Sequence, residues 1–164
     1  MQNLGLTFAE SNSTQPSTAV SESTIHAVWQ NWTATYYGIH YTRSLDCGLI
    51  WEQEKKLPLP EGSEMPTGPR IAAEGDNIHV VYYDIVSSLE LKWNIFYIRS
   101  IDRGDTWSNP ILISAVDGWR DKWPEIAAEG NSVHIAWAHE YTMGQYQMAY
   151  RNSTDNGNTW NLYK

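Results

Sequence analysis

The sequence predicts an all-β protein built from three repeated, four-stranded antiparallel sheets. An eight-residue segment occurs three times, at residues 44–51, 100–107 and 153–160. Its aspartates lie 56 and then 53 residues apart, and a near-constant period of this length indicates a repeat architecture. The segments between these copies also align with one another, each offering three or four short strand patterns. The repeat therefore covers almost the whole chain.

Each repeat begins with a short strand of small residues that starts at a proline: Pro16, Pro69 and Pro124. A second strand, nearly continuous in apolar residues, follows at 25–29, 78–82 and 133–137, as expected for a strand that is packed on both faces. It carries one histidine in register, which we interpret as a hydrogen-bonded structural residue: His26, His79 and His134. A third strand runs directly into the eight-residue segment, and 111–113 is the clearest fourth strand.

The eight-residue segment has the residue types of a tight turn between antiparallel strands. Aspartate accepts hydrogen bonds from backbone N–H groups, glycine takes a positive φ, and the hydroxyl groups tie the loop internally. The tryptophan begins the next strand. The defined positions are Ser44, Asp46, Gly48 and Trp51, then Ser100, Asp102, Gly104, Thr106 and Trp107, then Ser153, Asp155, Gly157, Thr159 and Trp160.

This pattern, Ser-x-Asp-x-Gly-x-Thr-Trp, resembles the Asp-box, or BNR repeat, of sialidase-like β-propellers. The first copy departs from it at Ile50, where threonine is expected. The resemblance implies that each repeat is one propeller blade. It also implies that the box residues are a folding element on the outer part of the blade, away from the catalytic face of the family.

The chain as a whole, 1–164, is expected to form one propeller unit with repeats at about 16–59, 69–115 and 124–164. Propellers have about 4–8 blades, so three blades predict half of a six-bladed ring, completed as a two-fold homodimer. Residues 1–15 would supply a donated outer strand, 4–8, and a linker. A longer polypeptide, or head-to-tail assembly into an extracellular fibre, remains an alternative.

Composition limits the possible partners. The chain has 11 Lys and Arg against 19 Asp and Glu, a net charge of −8, which disfavours nucleic acid. No stretch approaches the roughly 18 apolar residues of a membrane span, so we expect no membrane insertion. The single cysteine, Cys47, excludes an internal disulfide. Asn-x-Ser/Thr sequons at Asn12, Asn31 and Asn152 slightly favour an extracellular or cell-surface location.

The face opposite the boxes gathers aromatic and charged residues from the remaining loops. Aromatic rings can stack on sugar rings, and carboxylates can accept hydrogen bonds from hydroxyl groups. The sequence therefore predicts carbohydrate binding on this rim, although the same aromatics could instead pack the loops together. The candidate residues are Arg70, Trp93, Trp119, Arg120, Asp121, Trp123 and Glu140.

The resemblance also raises the hypothesis of a sialidase. It would imply three arginines around the substrate, a tyrosine nucleophile activated by glutamate, an aspartate acid/base, and a Phe/Tyr-Arg-Ile-Pro motif. The nearest segment, 68–72, lacks both the leading aromatic and the trailing proline, and only Arg70 and Arg120 lie away from the boxes. We therefore expect no catalytic residue, cofactor or metal. A sialidase or glycoside hydrolase fragment remains the enzymatic alternative.

Overall fold

The computed structural model describes residues 11–86 and 92–162, and all regular structure within them is β-strand. The strands are β1 (Asn12–Ser21), β2 (Thr24–Trp32), β3 (Tyr37–Ser44), β4 (Lys55–Lys56), β5 (Thr67–Glu74), β6 (Asn77–Ile85), β7 (Trp93–Ser100), β8 (Ile111–Leu112), β9 (Asp121–Glu129), β10 (Ser132–Thr142) and β11 (Gln145–Ser153).

The strands form three antiparallel sheets in chain order, which confirms the predicted all-β fold class. Blade 1 contains β1–β4, blade 2 contains β5–β8, and blade 3 contains β9–β11. The fourth strand of blades 1 and 2 is only two residues long, and one further backbone hydrogen bond extends it, from Leu57 N to Ile39 O and from Ile113 N to Ile95 O. The strand predicted at residues 4–8 lies outside the described residues.

The first strand of each blade lies at the inner edge of the molecule, where β5 packs against both β1 and β9. Each of these strands begins before its proline and passes it through a β-bulge. The residue preceding the proline has a positive φ in all three blades: Gln15, Gly68 and Trp123. Since proline has no N–H to give to the ladder, a bulge is a position in a sheet where it is tolerated.

Two hydrophobic cores lie between the blades. The core between blades 1 and 2 contains Val28, Ile39 and Tyr41 facing Val80 and Ile98, among others. The core between blades 2 and 3 has a similar composition one repeat later, with Tyr97 facing Ile135 and Trp137. Each blade is therefore stabilised chiefly by its neighbours, because a single sheet of this size could not bury two apolar faces alone.

Candidate functional site

The three eight-residue segments form closely similar turns, which we call box 1 (44–51), box 2 (100–107) and box 3 (153–160). In box 3, Asp155 Oδ1 accepts hydrogen bonds from the Ser153 hydroxyl at 2.7 Å and from Thr159 N at 2.8 Å. The hydrogen bond from the Thr159 side chain, followed by those from Thr159 N and Ser153, lowers the pKa of Asp155 to about 2. Box 1 keeps the aspartate contacts but has Ile50 in place of the threonine, so it lacks this hydroxyl bond.

A tyrosine from one blade packs onto the box of the next blade. The Tyr41 hydroxyl of blade 1 donates to Arg103 O of box 2 at 3.1 Å, and its ring meets Trp107 edge-on at 4.9 Å. A Cβ on Gly104 would lie 2.1 Å from the Tyr41 hydroxyl oxygen. The buried His26 ring holds that hydroxyl at 2.8 Å. The tyrosine, the box glycine and the box tryptophan thus form one joint.

The second joint repeats this arrangement. Tyr97 of blade 2 meets Trp160 of box 3 at 4.9 Å, and its hydroxyl lies 2.6 Å from His79 Nδ1. A Cβ on Gly157 would lie 2.0 Å from the Tyr97 hydroxyl oxygen. Because these rings cover the glycines, the box requires glycine at this position for close approach as well as for its positive φ.

An arginine two residues after the tyrosine clamps the same box. Arg43 Nη1 donates to Arg103 O at 2.6 Å, and its Nη2 donates to Asp105 Oδ1 at 2.6 Å. Arg99 makes the equivalent pair of bonds, to the Asn156 carbonyl and to the Asn158 side-chain oxygen. The arginine clamp therefore links blade 1 to box 2 and blade 2 to box 3.

The outer face of blade 3, which we call the open face, carries half of a third joint. Tyr150 occupies the position of Tyr41 and Tyr97, and its hydroxyl lies 2.7 Å from His134 Nδ1. Met148, at the position of the fully buried Ile39 and Ile95, is 80% exposed. A shallow cavity of about 320 Å³ lies on this face, lined by Trp123, Glu125, Ala136, Trp137, Ala138, Tyr146, Gln147 and Met148.

Blade 1 carries the other half of that joint, in box 1. Gly48 has a φ of +90°, close to the +94° of Gly104, but a Cβ at Gly48 would meet only Ile25 of its own blade, at 3.4 Å. Leu49 and Ile50 beside it are exposed, as is Val20 on the inner strand, whereas Trp29 in the middle of the same sheet is buried. Box 1 thus has room for a tyrosine that no described residue supplies.

A second candidate site is the axial cleft, a cavity of about 210 Å³ where the inner strands of the three blades meet. It is lined by Gln15, Pro16, Gly68, Arg70, Tyr83 and Trp123. Arg70 Nε bonds to Glu125 Oε1 at 2.9 Å, and its side chain remains about one-third exposed. Trp123 is 58% exposed. The cleft therefore offers a small ligand an aromatic face beside an arginine that is paired with Glu125.

Of the predicted rim residues, Arg70 and Trp123 meet in this cleft. Trp93 lies beside it, with its ring 5.2 Å from Tyr83 and the Lys122 ammonium 5.4 Å above it. Trp119 and Arg120 are on the exposed loop before β9. The structure thus places Arg70, Trp93 and Trp123 together, and it pairs Arg120 with Glu140, whose Oε2 lies 3.9 Å from Arg120 Nε.

Asp121 and Glu140 are buried, so their carboxylates contact protein groups. Asp121 Oδ1 accepts from Trp137 Nε1 at 2.6 Å and from His139 Nδ1 at 3.0 Å, and burial raises its pKa. Glu140 Oε1 accepts from Gly144 N at 2.8 Å. Asp121 therefore links β9 to β10, and Glu140 holds the turn between β10 and β11.

Another buried acid, Asp84, was not among the residues predicted from sequence. It accepts hydrogen bonds from the Ser63 hydroxyl and from Met65 N, the latter at 2.8 Å, and so fastens the loop before β5 to the end of β6. Burial raises the pKa of Asp84 to about 6, although the hydrogen bond from Ser63 acts in the opposite direction. Its role is to hold the loop.

Sequence reasoning noted the histidines but missed the tyrosine and arginine that act with them. The signal is present, because Tyr41-x-Arg43-Ser44 and Tyr97-x-Arg99-Ser100 occupy the same place in two repeats. The pattern does not reveal that these side chains reach the following blade. Gln15 and Tyr83, which line the axial cleft, have no signal of this kind.

Within residues 11–86 and 92–162, no group of three or more His, Cys, Asp or Glu side chains is arranged to hold a metal ion. The same part of the chain contains no helix that could cross a membrane.

Comparison with solved structures shows a sialidase-like β-propeller fold. The chain is similar to Zg3597, a family 117 glycoside hydrolase of Zobellia galactanivorans (TM-score 0.61, 13% identity, 89% of this chain). It is also similar to Trypanosoma rangeli sialidase (0.62, 13%, 91%) and to a protein of unknown function from Dyadobacter fermentans (0.69, 16%, 93%). No protein-family model and no curated protein matches the sequence.

The chain spans 53%, 30% and 50% of the length of these three structures, respectively. At identities this low the likeness establishes the fold alone. The predicted propeller blades are therefore confirmed. The activities of these neighbours are not transferred to this chain.

Proposed function

We propose that this chain is a β-propeller module that completes its ring with a second copy, the open face of blade 3 docking against box 1 of the other chain. The observation that carries this proposal is the complementarity of the two ends. Tyr150, oriented by His134, is a joint tyrosine that meets no box among residues 11–86 and 92–162. Gly48 belongs to a box whose glycine no described tyrosine covers. Each end offers what the other lacks.

The chemistry of the two faces supports the same pairing. Met148 and Tyr146 are exposed at one end, and Val20 and Leu49 are exposed at the other. Burying apolar surface yields about 25 cal/mol per Å². A two-fold dimer would use each end once per chain and leave no open sheet face.

Oligomeric mass tests this proposal directly. By light scattering, we expect twice the chain mass of 18.8 kDa at micromolar concentration. Gly48→Ala should give a monomer, because its Cβ would occupy the space of the incoming Tyr150 hydroxyl, as the close approach of Tyr41 to Gly104 indicates. The matched control is Gly75→Ala, which has the same sign of φ (+55°) and no atom within 4 Å of its Cβ.

A folded wild-type monomer would contradict the proposal. A mass that grows continuously with concentration would indicate an open fibre in place of a closed ring. Circular dichroism of each variant separates loss of docking from loss of folding, since both alanines share the backbone strain of a positive φ.

A second candidate function is the binding of a carboxylated sugar in the axial cleft, for which Arg70 and Trp123 are the specific support. Arginine binds carboxylates through paired N–H donors, and an exposed tryptophan can stack on a sugar ring. The volume of about 210 Å³ lies below the ~300–1,000 Å³ of typical ligand pockets. It would suit one sugar ring. The complex of the Trypanosoma rangeli neighbour with sialic acid favours the same class.

Calorimetry with N-acetylneuraminic acid and galactose tests this second function. We expect binding of the acidic sugar, weakened at least tenfold in Arg70→Gln and in Trp123→Ala. Arg103→Gln is the matched control, because Arg103 is an exposed arginine paired with Asp76 on the box face. No heat with either sugar, or equal loss in the control, would contradict carbohydrate binding in the cleft.

Catalysis is the remaining alternative, that of a sialidase or glycoside hydrolase fragment. Only Arg70 among the described arginines lines the cleft, while Arg43 and Arg99 are held at the boxes. We therefore propose a non-catalytic module. Hydrolysis of an aryl sialoside that is abolished in Arg70→Gln would overturn this proposal.

A further inference from the structure

We infer that Asn152 and Leu49 determine the specificity of the joint between two copies, by omitting the arginine clamp that both internal joints contain. This inference rests on the proposed function. It concerns which side chains meet when blade 3 docks against box 1, and it distinguishes that joint from the two joints inside the chain.

The internal joints each use one arginine and one polar box residue. Arg43 pairs with Asp105 at 2.6 Å, and Lys55 adds a contact to Gly104 O at 3.0 Å. Arg99 pairs with Asn158. In both joints the arginine precedes its own box serine directly, and the partner follows the box glycine directly.

Both halves of this pair are replaced in the proposed joint between copies, the arginine in blade 3 and its partner in box 1. Asn152 stands where Arg43 and Arg99 stand, directly before Ser153. Leu49 stands where Asp105 and Asn158 stand, directly after Gly48, and it is 78% exposed. Replacing one half alone would leave a charge or a polar group unpaired in the joint, which is costly. Replacing both halves together avoids this cost, as expected for two surfaces that contact each other.

Asn152 is also kept out of the joint by its own blade. Its Oδ1 accepts from Asn161 Nδ2 at 2.7 Å, so its side chain is held beside box 3. The docking surface around Tyr150 is then uncharged at this point, and Leu49 can pack against it without an ionic partner.

This omission discriminates between correct and incorrect docking. Blade 3 of one copy cannot supply, from this position, the cation that Asp105 of box 2 receives from Arg43. Box 1 in turn offers Arg43 or Arg99 of another copy a leucine in place of the polar side chain that the internal joints provide. The internal joints therefore resist exchange between copies, and blade 3 is directed to box 1.

A double-mutant cycle in the full-length chain tests the inference. The variants are Asn152→Arg, Leu49→Asp and the double variant, and the readout is the dimer dissociation constant by sedimentation. We expect Leu49→Asp to weaken the dimer and the double variant to regain about tenfold in affinity beyond the sum of the single effects. The affinity of the double variant should fall with added salt, whereas that of the wild type should not.

Asn152→Lys combined with Leu49→Asp is a further double variant, because Lys55 already provides a lysine contact to Asp105 in the first joint. If the wild-type chain dimerises but the two substitutions change the dimer dissociation constant additively, the clamp inference is overturned and the proposed ring stays intact. A wild-type chain that does not dimerise would overturn the ring itself. The two failures are thus distinguishable.

Discussion

At the scale of single residues, the box glycine meets two demands at once. Gly104 has a φ of +94° and also lies under the Tyr41 ring, so a side chain there would be both strained and obstructed. Gly75 has the first demand only, with a φ of +55° and open space around it. The comparison separates backbone strain from packing.

Gly104→Ala is therefore expected to destabilise the chain more than Gly75→Ala. The left-handed backbone costs about 1–2 kcal/mol in each, and the overlap with the Tyr41 hydroxyl adds about 1–3 kcal/mol. Denaturant unfolding at micromolar concentration measures both free energies. Equal losses in the two variants would show that the Tyr41 ring moves aside without cost.

At the scale of the elements, stability resides in the joints between sheets. Each internal joint buries a histidine that orients the joint tyrosine, and burial with the nearby Arg43 or Arg99 charge lowers the pKa of His26 and of His79 to about 4. Both imidazoles are neutral in the folded chain at pH 7. The joints are therefore built to be stable at neutral pH.

We expect the joint of His79 to weaken in acid. Its folded pKa of about 4 lies below the ordinary 6.5, so its contribution is complete above pH 6.5 and is lost as the pH falls through about 4. This pKa difference corresponds to about 3 kcal/mol of unfolding free energy. His79→Asn should flatten the unfolding free energy over this range, as measured by denaturation from pH 7.5 to 4.

Asp84 acts in the opposite direction. Its folded pKa of about 6 lies above the ordinary 3.8, so its contribution is present below pH 3.8 and is lost as the pH rises through about 6. Because Asp84 is present in both proteins, the difference in unfolding free energy between His79→Asn and the parent chain gives the contribution of the histidine alone. Parallel pH curves for the two proteins would contradict its buried neutral state.

At the scale of the whole molecule, the fold and the candidate sites were predictable to different degrees. Three boxes at a near-constant period predicted the blades, because a turn is a local structure that can be recognised from its residue types. Arg70 and Trp123 were also candidates from sequence, but their meeting in one cleft depends on how the inner strands of blades 2 and 3 converge. Asp121 and Glu140 were predicted as rim residues, yet their side chains are buried.

The sequence by itself determined the repeat, the all-β class and the turn chemistry, since these depend on contacts within a few residues. Only the tertiary structure decided that Tyr41 reaches the backbone of Arg103 and that Arg43 reaches Asp105, each pair being 62 positions apart. It also decided that Tyr150 and Gly48 each carry half of a joint that no other described residue completes. Contacts between blades depend on how neighbouring sheets are placed, and a local sequence pattern does not encode that placement.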